Sequence, residues 1–222
     1  MKKLSPMIPY ETEIRTFETQ NLKWSVHTIK DLDHAIDQIC QLLDPQDPLS
    51  EDLSPYFGII WDSSIGLINY LEEIKYIPLS RKHVEIGAGL ALPSFWLASH
   101  RADITATDSH PDVHWFCDLN QSMMNIHFPY LTWNWRTDYW PGKEIDVVVG
   151  SDILYESRHP SDIINSLKSM MTKNGRLIIS DPGRGYLQNF QISLEKNGFK
   201  GKVHIVHGYE EEVFILDYVR TN

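Results

Sequence analysis

The hydrophobic pattern divides most of the chain into short apolar runs separated by longer segments of mixed character. These runs predict strands, at residues 84–86, 103–108, 131–136, 144–152 and 177–180. Helices are predicted after four of them, at residues 90–98, 111–126, 160–172 and 186–197. Strands that alternate with helices in this way form a mostly parallel, doubly wound α/β sheet with helices on both faces. Residues 202–207 and 212–220 predict a final antiparallel pair.

The first 56 residues precede this alternating pattern. Residues 12–19 and 22–29 alternate apolar and polar positions on either side of Gln20-Asn21, which is typical of a β-hairpin. Asp31 is predicted to cap a helix over Leu32–Leu43, and a loop with three prolines follows. We expect this N-terminal elaboration, residues 1–56, either to cap the substrate or to cover one end of the sheet, and residues 57–222 to form the main domain.

A further helix is predicted at residues 63–75, just before the first strand of the alternating pattern. Asp62 or Ser63 is expected to be its N-cap residue, because short polar side chains satisfy the first backbone N–H groups. Trp61 lies at the entry to this helix. Its indole is expected to face either a ligand pocket or the core.

Two glycines follow the strand at residues 84–86, in the sequence Val84-Glu-Ile-Gly-Ala-Gly. A strand, a tight glycine turn and a helix open a nucleotide-binding unit, because backbone without Cβ atoms can approach a ligand closely. The third glycine of a dinucleotide fingerprint is missing, since that position holds Leu92. Glu85 would repel a pyrophosphate and suits a ligand with a cationic ammonium. A tight turn without a ligand is the alternative.

Polar and aromatic residues end the other strands of the predicted sheet. Asp108 lies 21 residues after Gly87, where the acceptor for ribose hydroxyl groups belongs. Trp135 is expected to end the third strand, where its indole packs either on a purine or in the hydrophobic core. Asp152 and Tyr155 follow the most apolar strand, whose carboxyl end should lie beside the glycine turn. These side chains should therefore meet at one edge of the sheet.

Composition narrows the classes of function. The chain has 222 residues, of which 42% are hydrophobic, and a formal net charge of −10. This charge argues against nucleic acid or an anionic membrane as the partner and suits a cationic one. The two cysteines, Cys40 and Cys117, lie far apart, and no secretory or bilayer-length apolar segment is present, so a soluble cytoplasmic protein is expected. No motif with metal-ligand spacing occurs.

Four segments together resemble the methyltransferase family 16 group of the class I, seven-strand S-adenosylmethionine (SAM) methyltransferases. They are Trp61-Asp-Ser-Ser, Val84-Glu-Ile-Gly-Ala-Gly, Trp135-Arg136 and Ser151-Asp-Ile-Leu-Tyr-Glu156. The segment Asp181-Pro-Gly-Arg narrows the resemblance to one branch of this group. That branch contains the predicted nicotinamide N-methylases and the lysine methyltransferase of the electron-transfer flavoprotein β-subunit. The resemblance implies the strand order 3-2-1-4-5-7-6, with strand 7 antiparallel.

The resemblance also implies roles for single residues. Glu85, Gly87 and Gly89 would form the loop at the methionine side of SAM, and Asp108 would hold the ribose hydroxyl groups. The remaining cofactor contacts would come from Trp61, Trp135 and Ser151. Asp152 and Tyr155 would orient the nitrogen that receives the methyl group.

The sequence therefore predicts a SAM-dependent N-methyltransferase that modifies a lysine side chain of a protein and releases S-adenosylhomocysteine (SAH). One alternative is methylation of a small amine or of another nitrogen, such as that of a histidine side chain. A second is a SAM-binding module without catalytic activity. An NAD-dependent oxidoreductase is disfavoured by Leu92 and Glu85.

Overall fold

The computed structural model describes residues 5–43 and 53–221. The strands in these ranges are β1 (Thr12–Glu18), β2 (Lys23–Ile29), β3 (Lys82–Ile86), β4 (Asp103–Asp108), β5 (Tyr130–Thr132), β6 (Ile145–Ser151), β7 (Met171–Asp181), β8 (Phe199–Val206) and β9 (Val213–Arg220). The α-helices in the same ranges are α1 (Leu32–Leu42), α2 (Asp62–Glu73), α3 (Leu92–Ser99), α4 (Val113–Met124), α5 (His159–Met170) and α6 (Leu187–Lys196), and a 3₁₀ turn covers Tyr56–Gly58.

Seven of the strands form one sheet, in the order β5-β4-β3-β6-β7-β9-β8. Strands β3 to β7 run parallel, and β9 is antiparallel to both of its neighbours. Counted from the glycine strand β3, this order is 3-2-1-4-5-7-6, which confirms the predicted fold. The order reverses between β3 and β6, where ligands bind in open α/β sheets.

Strand β6 lies in the middle of the sheet and is apolar along its length because both faces are covered. Val147, Val148 and Val149 are fully buried in it. The parallel strands β3, β4 and β6 end at Ile86, Asp108 and Ser151. The residues that follow these three ends are therefore neighbours in space.

The N-terminal hairpin and α1 share a hydrophobic core with the main domain. Strand β2 is fastened to α4 by the buried Asn120, whose Oδ1 accepts the His27 N–H at 2.7 Å and whose Nδ2 donates to the His27 carbonyl at 3.2 Å. Asp112 accepts the Tyr10 hydroxyl at 2.7 Å and the Met7 N–H at 2.9 Å. The predicted cap on α1 is present, since Asp31 accepts the His34 N–H at 2.9 Å.

Several predicted boundaries are wrong. Helix α2 begins at Asp62 with Trp61 in the N-cap position, so neither Asp62 nor Ser63 caps it; instead the Ser64 hydroxyl donates to the Trp61 carbonyl at 2.7 Å. Helix α5 covers His159–Met170, against the predicted 160–172, and Pro160 suits its first turn. Part of the proline-containing loop, residues 44–52, lies outside the described residues.

Two strands also differ from the prediction. Strand β5 ends at Thr132, because the side chain of Asn134 accepts the Arg136 N–H at 2.9 Å and forms a turn that stops the ladder. Strand β7 starts earlier than predicted, at Met171, and contains a bulge around Asn174. Four residues, 172–175, lie opposite Asp146 alone, and Asn174 has a φ of +66°.

Candidate active site

A cavity of about 580 Å³ lies at the carboxyl ends of β3, β4 and β6. The glycine turn forms one wall, and the segment after β6 forms the opposite wall. Residues of the segment 54–61, among them Tyr56, Phe57 and Trp61, also line it. Strands β1 and β2 do not line it, whereas Ser54 and Tyr56 do, so the substrate-cap role of residues 1–56 stays a prediction.

The two glycines of the turn after β3 leave no room for side chains. Gly87 has a φ of +61°, and a Cβ atom there would lie 2.7 Å from Ile153 Cγ2 and 3.1 Å from Trp135 Cζ3. Gly89 has a φ of +52°, and its Cβ would lie 3.1 Å from the Phe57 carbonyl oxygen. A positive φ and close packing both require glycine here. The turn therefore presents bare backbone to the cavity.

Asp108 connects the glycine turn to the second strand. Its Oδ2 accepts the Gly89 N–H at 3.0 Å and its Oδ1 accepts the His110 N–H at 2.9 Å. Burial raises the pKa of this carboxyl group, whereas the N–H groups of His110 and Gly89 act to lower it. Asp108 lines the cavity and can accept further hydrogen bonds there.

Glu85 does not line the cavity, unlike the other predicted cofactor residues. Its side chain is fully buried, and its Oε2 accepts the Ser94 N–H at 2.9 Å and the Ser94 hydroxyl near the start of α3. Its Oε1 has no hydrogen-bond partner among the described residues. Burial raises the pKa of Glu85 to about 8, although the Ser94 donors lower it. The carboxylate was expected to point into the turn, but alternation along β3 directs it toward α3 instead.

Aromatic side chains form much of the remaining wall. Trp61 donates from Nε1 to the Tyr56 carbonyl at 3.1 Å, which holds the segment before α2 in place. Trp135 lies beyond the end of β5 but still reaches the cavity, and the Ser166 hydroxyl fixes its carbonyl at 2.6 Å. The buried His159 packs edge-to-face with the rings of both Trp135, at 5.5 Å, and Tyr155, at 4.6 Å. This histidine thus holds the two lining rings in fixed positions.

Asp152 is the first residue after β6 and has a φ of +55°. Its backbone N–H donates to the Ser180 carbonyl at 2.8 Å, and its side chain forms an ion pair with Arg184 from the segment after β7. Burial raises the pKa of Asp152, and the hydrogen bond from Arg184 opposes that rise. Ser151 and Tyr155 line the cavity on either side of this aspartate.

The cavity thus brings together eight of the nine predicted site residues, all except Glu85. The sequence interpretation gave no role to Arg184. The segment Asp181-Pro-Gly-Arg was noticeable as a motif, but nothing in its spacing showed that Arg184 contacts Asp152.

The described residues contain no cluster of histidine, cysteine or acidic side chains that could hold a metal ion. Within the same ranges, no helix has the length and apolar character needed to cross a membrane.

Comparison with known proteins identifies the family. Residues 49–193 match the sequence pattern of the lysine methyltransferase family. METTL21A of Mus musculus, a protein N-lysine methyltransferase, is 24% identical over 74% of this chain and 78% of its own length. The chain spans 59% of the length of METTL21A from Danio rerio, with 23% identity. The histone-arginine methyltransferase METTL23 of Homo sapiens is 26% identical over 67% of this chain and 80% of its own length.

A solved structure shows the same fold. The magnesium protoporphyrin IX methyltransferase of Synechocystis PCC 6803, with bound SAM, superposes with a TM-score of 0.59 and 20% identity. The match covers 85% of this chain and 91% of that enzyme.

Proposed function

Because the chain belongs to the lysine methyltransferase family, we propose that it is a SAM-dependent N-methyltransferase acting on a lysine side chain of a protein. The observation that carries this proposal is the cavity at the switch point of the sheet. It combines a glycine turn at positive φ, a carboxylate at the end of the next strand and a second carboxylate after β6.

The residues present fit SAM as the cofactor. Gly87 and Gly89 keep the backbone of the turn bare at the cavity wall, and Asp108 offers carboxylate oxygens for a ribose diol. Trp135 supplies an aromatic face for an adenine, and Trp61 and Ser151 complete the lining. Glu85 would not contact SAM directly. It would hold the start of α3 in place through Ser94 and so support the turn.

SAM, when bound, supplies a methyl group on a sulfonium, and transfer of that group to nitrogen leaves the neutral thioether SAH. Before the transfer, the protein has to hold the acceptor nitrogen in line with the bond between the methyl group and the sulfur. Such positioning can lower the barrier by roughly 7–11 kcal/mol. Asp152 would accept a hydrogen bond from the acceptor nitrogen and stabilise the charge that develops on it. Tyr155 would provide an aromatic wall and a hydroxyl group.

The shape of the acceptor end supports a protein substrate over a small amine. Tyr155 is 54% exposed, so the wall beside Asp152 is open to solvent. Glu156 lines the same opening, which favours a cationic acceptor. An enclosed pocket over Tyr155 would have supported a small molecule instead. A cytoplasmic location is part of the same proposal and is supported by the unpaired cysteines, Cys40 and Cys117.

The proposal is tested by incubating the purified protein with methyl-labelled SAM and a cell lysate, followed by hydrolysis of the labelled proteins. We expect label in a protein band and its recovery as methyl-lysine. Recovery as methyl-histidine or methyl-arginine would retain the methyltransferase but change the acceptor. Label only in small molecules would establish the small-amine alternative.

A further inference from the structure

The ion pair between Asp152 and Arg184 is asymmetric. Arg184 places Nε at 2.8 Å and Nη2 at 2.7 Å from the same oxygen, Oδ1 of Asp152. No residue that the structure describes donates a hydrogen bond to the second oxygen, Oδ2. Oδ1 of this carboxylate is therefore bound to Arg184, and Oδ2 is available to a ligand in the cavity.

Arg184 is held in this position by its own backbone. Oδ1 of Asp181, at the end of β7, accepts the N–H of Gly183 at 2.8 Å and that of Arg184 at 2.7 Å. The Arg184 carbonyl accepts the Leu187 N–H at 3.0 Å as α6 begins. The guanidinium thus reaches Asp152 from an anchored loop and lies ready before an acceptor binds.

Methylation of an amine needs the neutral form of that amine, because the lone pair is the nucleophile. A lysine side chain has a pKa of about 10.4 in water, so it enters the site as an ammonium. An uncompensated carboxylate beside the nitrogen would raise that pKa further and stabilise the unreactive form. Asp152 is only 7% exposed, so little water would screen its charge.

We infer that Arg184 is a positioning residue that cancels the charge of Asp152, so that the available oxygen binds an acceptor amine without stabilising its ammonium form. The inference rests on the proposed function. The proton of the incoming ammonium leaves to water before the nitrogen attacks. Asp152 then works as an oriented hydrogen-bond acceptor, and neither residue gains or loses a proton.

The other groups near this pair do not replace Arg184. The charge of Glu211 acts to raise the pKa of Asp152, and that of Asp152 acts to raise the pKa of Asp181. Glu156 lies in the adjacent wall. Tyr155 and Tyr186 line the same cavity, and neither side chain can supply a positive charge. Arg158 is occupied by Glu156, with Nε at 2.6 Å from its carboxylate. Removal of Arg184 would leave Asp152 in a negative environment.

The test compares Arg184→Met, which keeps an unbranched apolar stem and removes the charge, with Arg184→Lys, which keeps the charge. n-Butylamine serves as the probe for a lysine side chain, and its binding to the SAH-loaded protein is measured by calorimetry from pH 8 to 9.5. In the natural protein, apparent affinity should rise about tenfold per pH unit, because the neutral amine binds. Arg184→Met should bind the ammonium, with an affinity nearly independent of pH, and Arg184→Lys should resemble the natural protein.

Methyl transfer to lysate proteins gives a second readout. The pH–rate profile of Arg184→Met should move at least one unit to higher pH, and this shift should vanish when Asp152→Asn is added. Arg81→Met removes an exposed cation just before the amino end of β3, on the side of the sheet away from the cavity. This variant should have the pH–rate profile of the natural protein. Melting curves check that each variant folds.

The outcomes separate this inference from the proposed function. If the natural protein neither binds SAH nor transfers methyl groups, the proposed function itself is wrong. If it does both, but the pH–rate profiles of Arg184→Met and the natural protein coincide, Arg184 does not compensate the charge of Asp152. Absence of butylamine binding in both proteins at pH 9.5, or loss of SAH binding in Arg184→Met, would also overturn the inference.

Discussion

At Gly87, the sequence, the backbone and the cavity impose the same requirement. A side chain there must adopt a φ of +61° and displace Ile153 or Trp135. We expect Gly87→Val to lower SAM affinity at least 100-fold, because the valine side chain would fill the turn. Calorimetric titration measures the loss.

Gly185 offers a matched control for this prediction. A Cβ atom added at Gly185 would meet nothing within 4 Å. Gly185→Ala should therefore keep the affinity of the natural protein. Equal affinity in Gly87→Val would show that the turn does not hold the cofactor.

Asp152 belongs to the acceptor side of the cavity. Asparagine tolerates the left-handed backbone at this position and keeps the shape of the side chain. Asp152→Asn should retain SAM binding within about threefold, and turnover should fall about 100-fold or more, the scale expected for a group acting in the transition state. A binding titration beside a single-turnover assay separates the two effects. Loss of SAM binding would assign Asp152 to the cofactor.

Glu85 makes stability depend on pH. Its pKa in the folded protein is raised from 4.5 to about 8, so between these values the folded state keeps a proton that the unfolded state has released. Stability therefore falls as pH rises through this range, by at most about 1.4 kcal/mol per pH unit. Urea unfolding of Glu85→Gln at pH 5, 6.5 and 8 should give a flatter dependence than the natural protein.

The exposed Glu73, the last residue of α2, is the control for this effect. Glu73→Gln should follow the pH dependence of the natural protein. Parallel curves for Glu85→Gln and the natural protein would mean that Glu85 is ionised in the folded state at low pH.

At the scale of elements, the hairpin is fastened to the main domain through Asn120. Asn120→Ala removes both hydrogen bonds to His27 and leaves half-buried backbone groups without this partner. We expect a loss of about 1–3 kcal/mol in the free energy of unfolding. Hydrogen exchange should accelerate in β1 and β2 more than in β3 or β6.

Asn165 lies exposed on α5 and provides the comparison. Asn165→Ala should leave the exchange of the hairpin unchanged. Unchanged exchange in Asn120→Ala as well would show that packing alone holds the hairpin.

The hydrophobic pattern predicted the strands because burial determines them, whereas their order was implied by the family resemblance. The apolar run around Val148 could only be a central strand, and strand ends in a parallel sheet lie at one edge. It did not predict where β5 ends, because a side-chain hydrogen bond of Asn134 stops that strand. It misplaced Glu85, because alternation within β3 and packing under α3 determine where that carboxylate points.

At the scale of the molecule, the cavity is assembled from distant parts of the sequence. Gly87, Asp108 and Asp152 each follow a different parallel strand, so their proximity follows from the fold. Arg184 reaches the cavity from the segment after β7. A contact of this kind depends on side-chain geometry across two loops, so a linear pattern does not reveal it.

The central claim is that this cavity binds SAM. Calorimetric titration of the purified protein with SAM and SAH, with NAD as the control, tests it most directly. We predict micromolar dissociation constants for SAM and SAH and no heat of binding for NAD. Binding of NAD, or of none of the three, would contradict the account and leave the glycine turn as a structural feature of the sheet.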